Sequence, residues 1–227
     1  MIGKTHRIGG LALGAAGAAL VLGGADLSTA LLYTPVILTG AAFGSLIPDL
    51  DHAGAELSKK YKLASSIVRM FADHRGATHY VITAVIFSAI MTLLNYFIIS
   101  SSNNFLVSIA TIAIVQATIK LIFEYVPRKL VRKYGRTVRL IGFVVPAILG
   151  YGLNSICATI ITYYCLGLVL GYISHLILDS FTLSGIPIGP WTTKKVRLAK
   201  LRTGESEDLV RGVCYILTAL AICILVI

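Results

Sequence analysis

The residues in this sequence best suited to chemistry are its histidines and the aspartates that stand beside them. There are five histidines: His6, His52, His74, His79 and His175. Asp49 and Asp51 directly precede His52, and Asp179 follows His175 four residues later. Mixed imidazole and carboxylate ligands suit Zn(II), Mn(II) or Fe(II). Two such ions about 3.5 to 4 Å apart can hold both the attacking and the leaving oxygens of a phosphate ester. The pattern therefore predicts a divalent metal site, and hydrolysis is its natural chemistry.

Two of the motifs follow or precede a predicted membrane helix. In residues 44–52 we expect Pro48 to end a helix and to leave two carboxylates and an imidazole just beyond it. Residues 74–79 open the next predicted helix, where Thr78 is a candidate N-cap. Taken alone, each motif is equally compatible with an ordinary polar loop or cap.

The other two histidines belong to the first and sixth predicted helices. His175 and Asp179 are separated by one helical turn and share a face, so they can address one ion or one water molecule. An ionised Asp in a membrane helix costs roughly 3 kcal/mol, which favours a functional role over a simple mutual hydrogen bond. We expect His6 to stand just before the first helix.

The candidate site contains more ligands than one ion needs. The candidate metal ligands are His6, Asp49, Asp51, His52, His74, His79, His175 and Asp179. With eight candidates, Asp51 is the residue we assign as a possible general base instead of a ligand. Arg75 stands between two candidate ligands and is placed to bind a phosphate oxygen in bidentate fashion, although it also fits an ordinary membrane-flanking arginine. We expect Thr182 to hold His175 and Asp179 in position without binding the metal itself.

Composition shows which kind of structure must position these residues. The chain has 227 residues, of which 56% are hydrophobic and 13% charged, and its mean hydropathy is +0.84. Soluble domains carry about 25% charged residues, so the composition indicates a membrane protein. The four cysteines lie in apolar runs without a C-x-x-C pair, which excludes a disulfide scaffold.

Seven apolar runs approach the length of about 20 residues that a membrane-spanning helix needs. They cover residues 8–24, 31–47, 80–99, 105–123, 138–153, 156–178 and 209–227. The first is rich in glycine and alanine, and the fifth is short and contains Pro146. We therefore predict an all-α polytopic membrane protein with six or seven transmembrane helices, forming a single domain over residues 1–227.

The positions of the Lys and Arg residues predict how these helices are oriented in the membrane. Of the 20 Lys and Arg residues, all but Lys120 fall into four stretches. The stretches are Lys4 and Arg7; Lys59, Lys60, Lys62, Arg69 and Arg75; Arg128, Lys129, Arg132, Lys133, Arg136 and Arg139; and Lys194, Lys195, Arg197, Lys200, Arg202 and Arg211. Because each stretch is separated from the next by two apolar runs, the pattern predicts three hairpins plus a C-terminal helix, with the N-terminus in the cytoplasm.

The net charge of +10 favours a lipid partner over a nucleic acid. The cations flank the membrane and are spread over several loops, where anionic headgroups attract them. No soluble stretch is long enough for a typical nucleic-acid domain, so we expect anionic lipid and no direct nucleic-acid binding. Residues 128–139 fit an amphipathic interfacial segment or a plain topology determinant.

The order of these motifs resembles that of a known family. The motifs are Thr5-His6-Arg7-Ile8-Gly9-Gly10, Ile47-Pro48-Asp49-Leu50-Asp51-His52, His74-Arg75-Gly76-Ala77-Thr78-His79, and His175-x3-Asp179-x2-Thr182 followed by Gly185-Ile186-Pro187. They are similar to those of the YdjM-like family, described as LexA-binding, inner-membrane-associated metal-dependent hydrolases, over nearly the whole chain. The resemblance implies an inner-membrane, metal-dependent hydrolase with a possible LexA-type protein partner.

Other hydrolase classes fit less well. A looser likeness to zinc-dependent phospholipase C implies zinc and a phospholipid-type substrate, but only one His-x3-Asp helix is present, so we expect one or two ions. Lipid phosphate phosphatases of the haloperoxidase type are excluded because Pro-Ser-Gly-His is absent. The motifs of P-loop NTPases, serine hydrolases and zincins are also absent.

Two non-hydrolase functions remain open from the sequence. A regulatory membrane protein of the LexA-binding type would use the same motifs structurally. A metal-ion or proton transporter is less favoured, because it would carry ionisable groups near the membrane midplane, whereas Lys120 and Glu124 lie toward one end of their helix.

Overall fold

The protein is almost entirely helical in the residues that its computed structural model describes, namely 1–71, 76–100, 104–152 and 154–226. The helices in these ranges are α1 (Gly3–Leu22), α2 (Leu27–Gly44), α3 (Glu56–Lys60), α4 (Lys62–Phe71), α5 (Val81–Ser100), α6 (Asn104–Tyr125), α7 (Arg128–Gly152), α8 (Asn154–Ser180) and α9 (Glu207–Val226). Two 3₁₀ turns, Pro48–Asp51 and Ala77–His79, precede α3 and α5. A small antiparallel ribbon pairs β1 (Ile186–Pro187) with β2 (Lys195–Val196) after α8.

Six helices in the described ranges are long and apolar enough to cross a membrane: α1, α2, α5, α6, α8 and α9. Helices satisfy their own backbone hydrogen bonds, which a hydrocarbon environment requires. The predicted all-α polytopic fold is confirmed.

The seventh predicted run belongs to α7, whose first half carries the third basic stretch and whose second half is apolar. Arg7 near the start of α1 pairs with Glu124 at the end of α6, so these two helix ends lie on the same side. Asp179, at the end of α8, contacts Met1 and His6 at the start of α1, so the 27-residue helix α8 begins on the opposite side. Helix α7 connects the two sides and, at about 37 Å, is long enough to do so.

The helices nearest the metal-ligand candidates pack through glycines. The glycines repeat at four-residue spacing on both helices: Gly40 and Gly44 on α2, and Gly167 and Gly171 on α8. A Cβ on Gly44 would lie 2.1 Å from the Leu168 carbonyl oxygen, and one on Gly171 would lie 2.1 Å from the Ala41 carbonyl oxygen. Small residues at this spacing let membrane helices approach backbone to backbone.

Helix α1 completes this group of three. A Cβ on Gly10 would lie 2.6 Å from the Ala41 carbonyl oxygen of α2, and one on Gly9 would lie 2.4 Å from the Leu178 side chain of α8. The second turn of α1 therefore packs against both neighbours, which brings His6 toward His175.

Helix α2 is capped at the other side of the membrane. The Asp26 carboxylate accepts a hydrogen bond of 3.0 Å from the Thr29 backbone N–H, as an N-cap does. The hydrogen bond from the Ser28 hydroxyl, followed by those from Thr29, holds the pKa of the Asp26 carboxyl well below its usual value. The cap thus stays ionised at neutral pH.

Helix α1 begins earlier than predicted, so His6 lies within its first two turns and not before it. The cause is a carboxylate from another helix. Glu207 of α9 accepts hydrogen bonds from the Ile2 backbone N–H at 3.1 Å and from the Thr5 hydroxyl. A carboxylate at the amino end of a helix satisfies its free N–H groups and favours the helix dipole.

The predicted roles of Pro48 and Thr78 also differ from the structure. Helix α2 already ends at Gly44, and Pro48 starts the next 3₁₀ turn, where its missing N–H costs no hydrogen bond. Helix α5 begins at Val81, and the Thr78 hydroxyl donates to the Asp51 carboxylate instead of capping the helix.

We predict that Gly44→Ala destabilises the protein, because the added methyl group would clash with the α8 backbone and cores resist overpacking by about 1 to 3 kcal/mol. The control is Gly212→Ala, since a Cβ at this exposed α9 position meets no atom within 4 Å. Thermal unfolding in detergent, followed by circular dichroism, should show a lower Tm for Gly44→Ala and an unchanged or higher Tm for Gly212→Ala. Equal Tm values would contradict the close packing.

Candidate metal centre

Four elements meet at one end of the bundle and bring their ionisable side chains together. They are the first turns of α1, the turn after α2, the turn before α5 and the last turns of α8. His6, His79 and His175 are at most 1% exposed, and Asp179 is 3% exposed, whereas Asp49 is half-buried. Burial of so many ionisable groups requires compensating partners.

His175 lies in the middle of this cluster. Its Nδ1 is 2.7 Å from the Ser45 carbonyl oxygen, so Nδ1 carries the proton and donates to that carbonyl. Its Nε2 then directs a lone pair into the cluster, 3.2 Å from Nε2 of His79. The same Nε2 is 3.8 Å from a carboxylate oxygen of Asp49 and 3.8 Å from one of Asp179.

The His79 ring is oriented by polar groups on its Nδ1 side, opposite the Nε2 that faces His175. Its Nδ1 lies 2.9 Å from the Thr78 hydroxyl oxygen and 3.3 Å from Oδ2 of Asp51. The Thr78 hydroxyl donates its own proton to Asp51 at 2.5 Å, so its oxygen accepts the proton on Nδ1 of His79, and Nε2 faces His175. This carboxylate–histidine arrangement is typical of metal-binding histidines.

His6 stacks on His175 with ring centroids 3.7 Å apart and an interplanar angle of 15°. Its Nε2 is 3.3 Å from Oδ1 of Asp179 and 3.2 Å from the Met1 carbonyl oxygen. Its buried Nδ1 has no hydrogen-bond partner among the residues that the structure describes. An orphaned buried nitrogen of this kind is what a missing ligand partner leaves behind.

Asp179 connects the two sides of the cluster. Its Oδ1 faces His6 and the amino group of Met1, at 3.3 and 2.8 Å. Its Oδ2 faces Nε2 of His79 at 3.7 Å and Nε2 of His175 at 3.8 Å. One carboxylate thus presents an oxygen to each side, which is how a carboxylate bridges two ions or supports one.

The donor spacing fits a divalent ion. His6, Asp49 and His175 form one group, and His79, His175 and Asp179 a second, with ligand atoms within 4.8 Å of one another in each. Around a tetrahedral ion with bonds of about 2.1 Å, neighbouring donors lie about 3.4 Å apart, close to the separations in the second group. Because both groups include His175, they form one compact centre.

A cavity of about 360 Å³ opens beside this centre. Asp49 and Asp179 line it together with Lys4 and the exposed His52. A ligand in the cavity would therefore reach the carboxylates of the cluster and a lysine ammonium group.

The structure brings together five of the eight ligand candidates: His6, Asp49, His79, His175 and Asp179. Asp51 lies behind His79, and His52 lies in the cavity wall. His74 and Arg75 lie outside the described residues.

Sequence reasoning missed the groups that hold the ligands in place. Glu207 is buried and fixes the start of α1 beside His6. An acidic residue opening an apolar helix was the available signal, since such a residue is costly unless it has partners. The hydrogen bond from His175 to the Ser45 backbone carbonyl could not be predicted, because any residue at position 45 would supply the same carbonyl. Thr182 donates to the Asp179 backbone carbonyl at 2.7 Å, so it supports the helix end and not the carboxylate.

Comparison with known proteins gives a family but not an activity. A family model described as YdjM inner membrane protein matches residues 1–227. The chain is also 28% identical, over 213 residues, to the Uncharacterized protein YvsG of Bacillus subtilis (strain 168), covering 92% of this chain and 87% of that protein. No solved structure matches the chain. The family match spans the whole sequence, and the chain belongs to the YdjM inner membrane protein family.

Proposed function

We propose that the protein is a membrane-bound, metal-dependent hydrolase that cleaves a phosphate ester of a lipid-type substrate. The observation that carries this proposal is the convergence of buried imidazoles and carboxylates at one end of the bundle, beside an open cavity. One nitrogen each of His175 and His79 is held by the Ser45 carbonyl and the Thr78 hydroxyl, while their Nε2 atoms face each other at 3.2 Å beside the Asp179 carboxylate.

The ligands we propose are His6, Asp49, His79, His175 and Asp179. Their chemistry suits one or two divalent ions, with zinc favoured and manganese or iron as alternatives. Such an ion, when bound, lowers the pKa of water and polarises a phosphate oxygen.

The remaining residues position the ligands or receive the substrate. Asp51 and the Thr78 hydroxyl hold the His79 ring so that its Nε2 faces His175 and Asp179. This contact favours a positioning role for Asp51 over the general base that the sequence suggested. Asp49 is half-buried at the border of the cavity, so it is the proposed ligand that lies at the edge of the cavity where substrate would enter. Lys4 supplies a positive charge for the phosphate, and Arg75 is proposed to do the same.

A lipid substrate is supported by the position of the centre at the end of a membrane-spanning bundle. Basic residues cluster at the same end, including Lys4, Arg7 and Lys60. By the positive-inside rule this end faces the cytoplasm, as does the N-terminus. The substrate would thus be reached from the cytoplasmic leaflet.

We expect detergent-purified protein to contain near-stoichiometric zinc, manganese or iron. Asp49→Asn and His79→Gln should each lower the metal content at least fivefold, because each removes a ligand. Inductively coupled plasma mass spectrometry measures this directly. Asp208→Asn, which changes a carboxylate with a 97% exposed side chain, is the control and should retain the metal. Absence of bound metal after reconstitution with each ion would refute the metal centre.

Asp51→Asn should weaken metal binding by about 10- to 100-fold without abolishing it, because an orienting carboxylate is lost and no ligand is removed. Competition with a chelating dye gives the affinity, and the metal-to-protein ratio at saturation should stay as in wild type. A lower saturating ratio would instead show that Asp51 binds the metal itself.

Metal-loaded protein should release phosphate or a phosphorylated headgroup from a phospholipid or an isoprenoid phosphate in mixed micelles. Lys4→Gln should raise KM severalfold with little change in kcat, because Lys4 contacts substrate only through charge. The assay compares wild type, Lys4→Gln and chelated protein. A correctly loaded protein without turnover on either substrate class would favour the non-enzymatic regulatory role, including a LexA-type partner.

A further inference from the structure

A second polar pocket lies at the same end of the bundle as the metal centre. We call it the basic pocket; its charged residues are Arg7 of α1, Lys60 of α3, and Lys120 and Glu124 of α6. Leu46 and Leu57 line both the basic pocket and the metal-centre cavity, and both are at most 9% exposed. The basic pocket therefore lies beside the metal-centre cavity, but its charged residues are not among the candidate metal ligands.

The charges of the basic pocket are not balanced. Arg7 pairs with Glu124, which is the carboxylate among the residues lining the pocket. The ammonium groups of Lys60 and Lys120 lie within interaction range of each other, although both side chains are exposed. Glu124 attracts Lys120 but is already paired with Arg7, so three cations share one carboxylate and the arrangement favours an additional anion with several oxygens.

Lys120 is unusual in its position along the chain. It lies inside the membrane-spanning helix α6, more than one turn before the helix ends at Tyr125. Snorkelling alone would carry its ammonium group out toward water and away from other cations. Its convergence with Lys60 instead fixes a positive site at the membrane boundary.

An apolar groove of about 340 Å³ adjoins the basic pocket. It lies between α1, α2, α6 and α9, and its wall includes Ile8, Leu38, Ile122 and Tyr215. Leu121, which is 8% exposed, lines both the groove and the basic pocket, so the two lie side by side. A positive site next to an apolar groove is complementary to a phospholipid, whose anionic headgroup is joined to apolar acyl chains.

We propose that this composite surface binds one anionic phospholipid, with its phosphate on Arg7, Lys60 and Lys120 and one acyl chain in the apolar groove. The site is separate from the metal centre and does not depend on the proposed hydrolysis. It would anchor α1, α3 and α6 to one another through the bound lipid.

The test is binding of dioctanoyl phosphatidylglycerol to the full-length protein in detergent, measured by native mass spectrometry. The double variant Lys60→Gln, Lys120→Gln should raise Kd at least tenfold. The matched control is Lys129→Gln, Lys133→Gln, which removes two exposed lysines of α7 and should change Kd less than threefold. Equal losses in both variants would overturn the proposal, because they would indicate attraction by net charge alone.

Three further measurements distinguish an anionic phospholipid at this site from other ligands and from a lipid bound at the metal centre. Lys60→Arg, Lys120→Arg should bind within threefold of wild type, and a loss there would show that charge does not define the site. Inorganic phosphate and dioctanoyl phosphatidylcholine should not displace the bound lipid at equal concentration; displacement by either would refute an anionic phospholipid site. Chelation of metal should leave Kd unchanged within twofold, whereas loss of binding would place the lipid at the metal centre.

Discussion

The backbone contact between α2 and α8 is the constraint on which the candidate metal centre depends. Gly171 lies where a Cβ would be 2.1 Å from the Ala41 carbonyl oxygen and 2.7 Å from the Ser45 nitrogen. One turn later along α8, His175 donates from Nδ1 to the Ser45 carbonyl oxygen at 2.7 Å. Any side chain at position 171 would push the two helices apart and break this bond. The tautomer of the central histidine is therefore set by a glycine.

Because the ionisable side chains of the cluster are buried, they contact one another instead of water. In a membrane protein the cost of an unpaired buried charge is severe, so each ionisable group needs a partner. Asp51 is held by Thr78 and His79, and Glu207 by Ile2 and Thr5. The inner side of the cluster is different, because there nitrogen lone pairs and carboxylate oxygens face one another. Such a surface is well matched to a cation.

The sequence predicted the helices because long apolar runs can form little else in a bilayer, and it predicted the His175 and Asp179 pair because helical spacing alone puts them on one face. It could not rank the other ligands. Asp49 and Asp51 are two residues apart in a turn, and only the position of His79 decides which one faces the centre. The contact of His175 with the Ser45 carbonyl and that of Glu207 with α1 join residues far apart in the sequence. Such pairings cannot be predicted from the pattern of a single sequence.

Helix α1 links the two polar sites through adjacent residues. His6 faces the candidate metal ligands, while Arg7, about 100° further round the helix, faces the basic pocket. A rotation of α1 toward either site would withdraw a side chain from the other. Glu207 opposes that rotation, because it accepts hydrogen bonds from the Ile2 N–H and the Thr5 hydroxyl at the start of α1. The buried carboxylate at the start of α9 therefore helps to set the orientation of both side chains without contacting either of them.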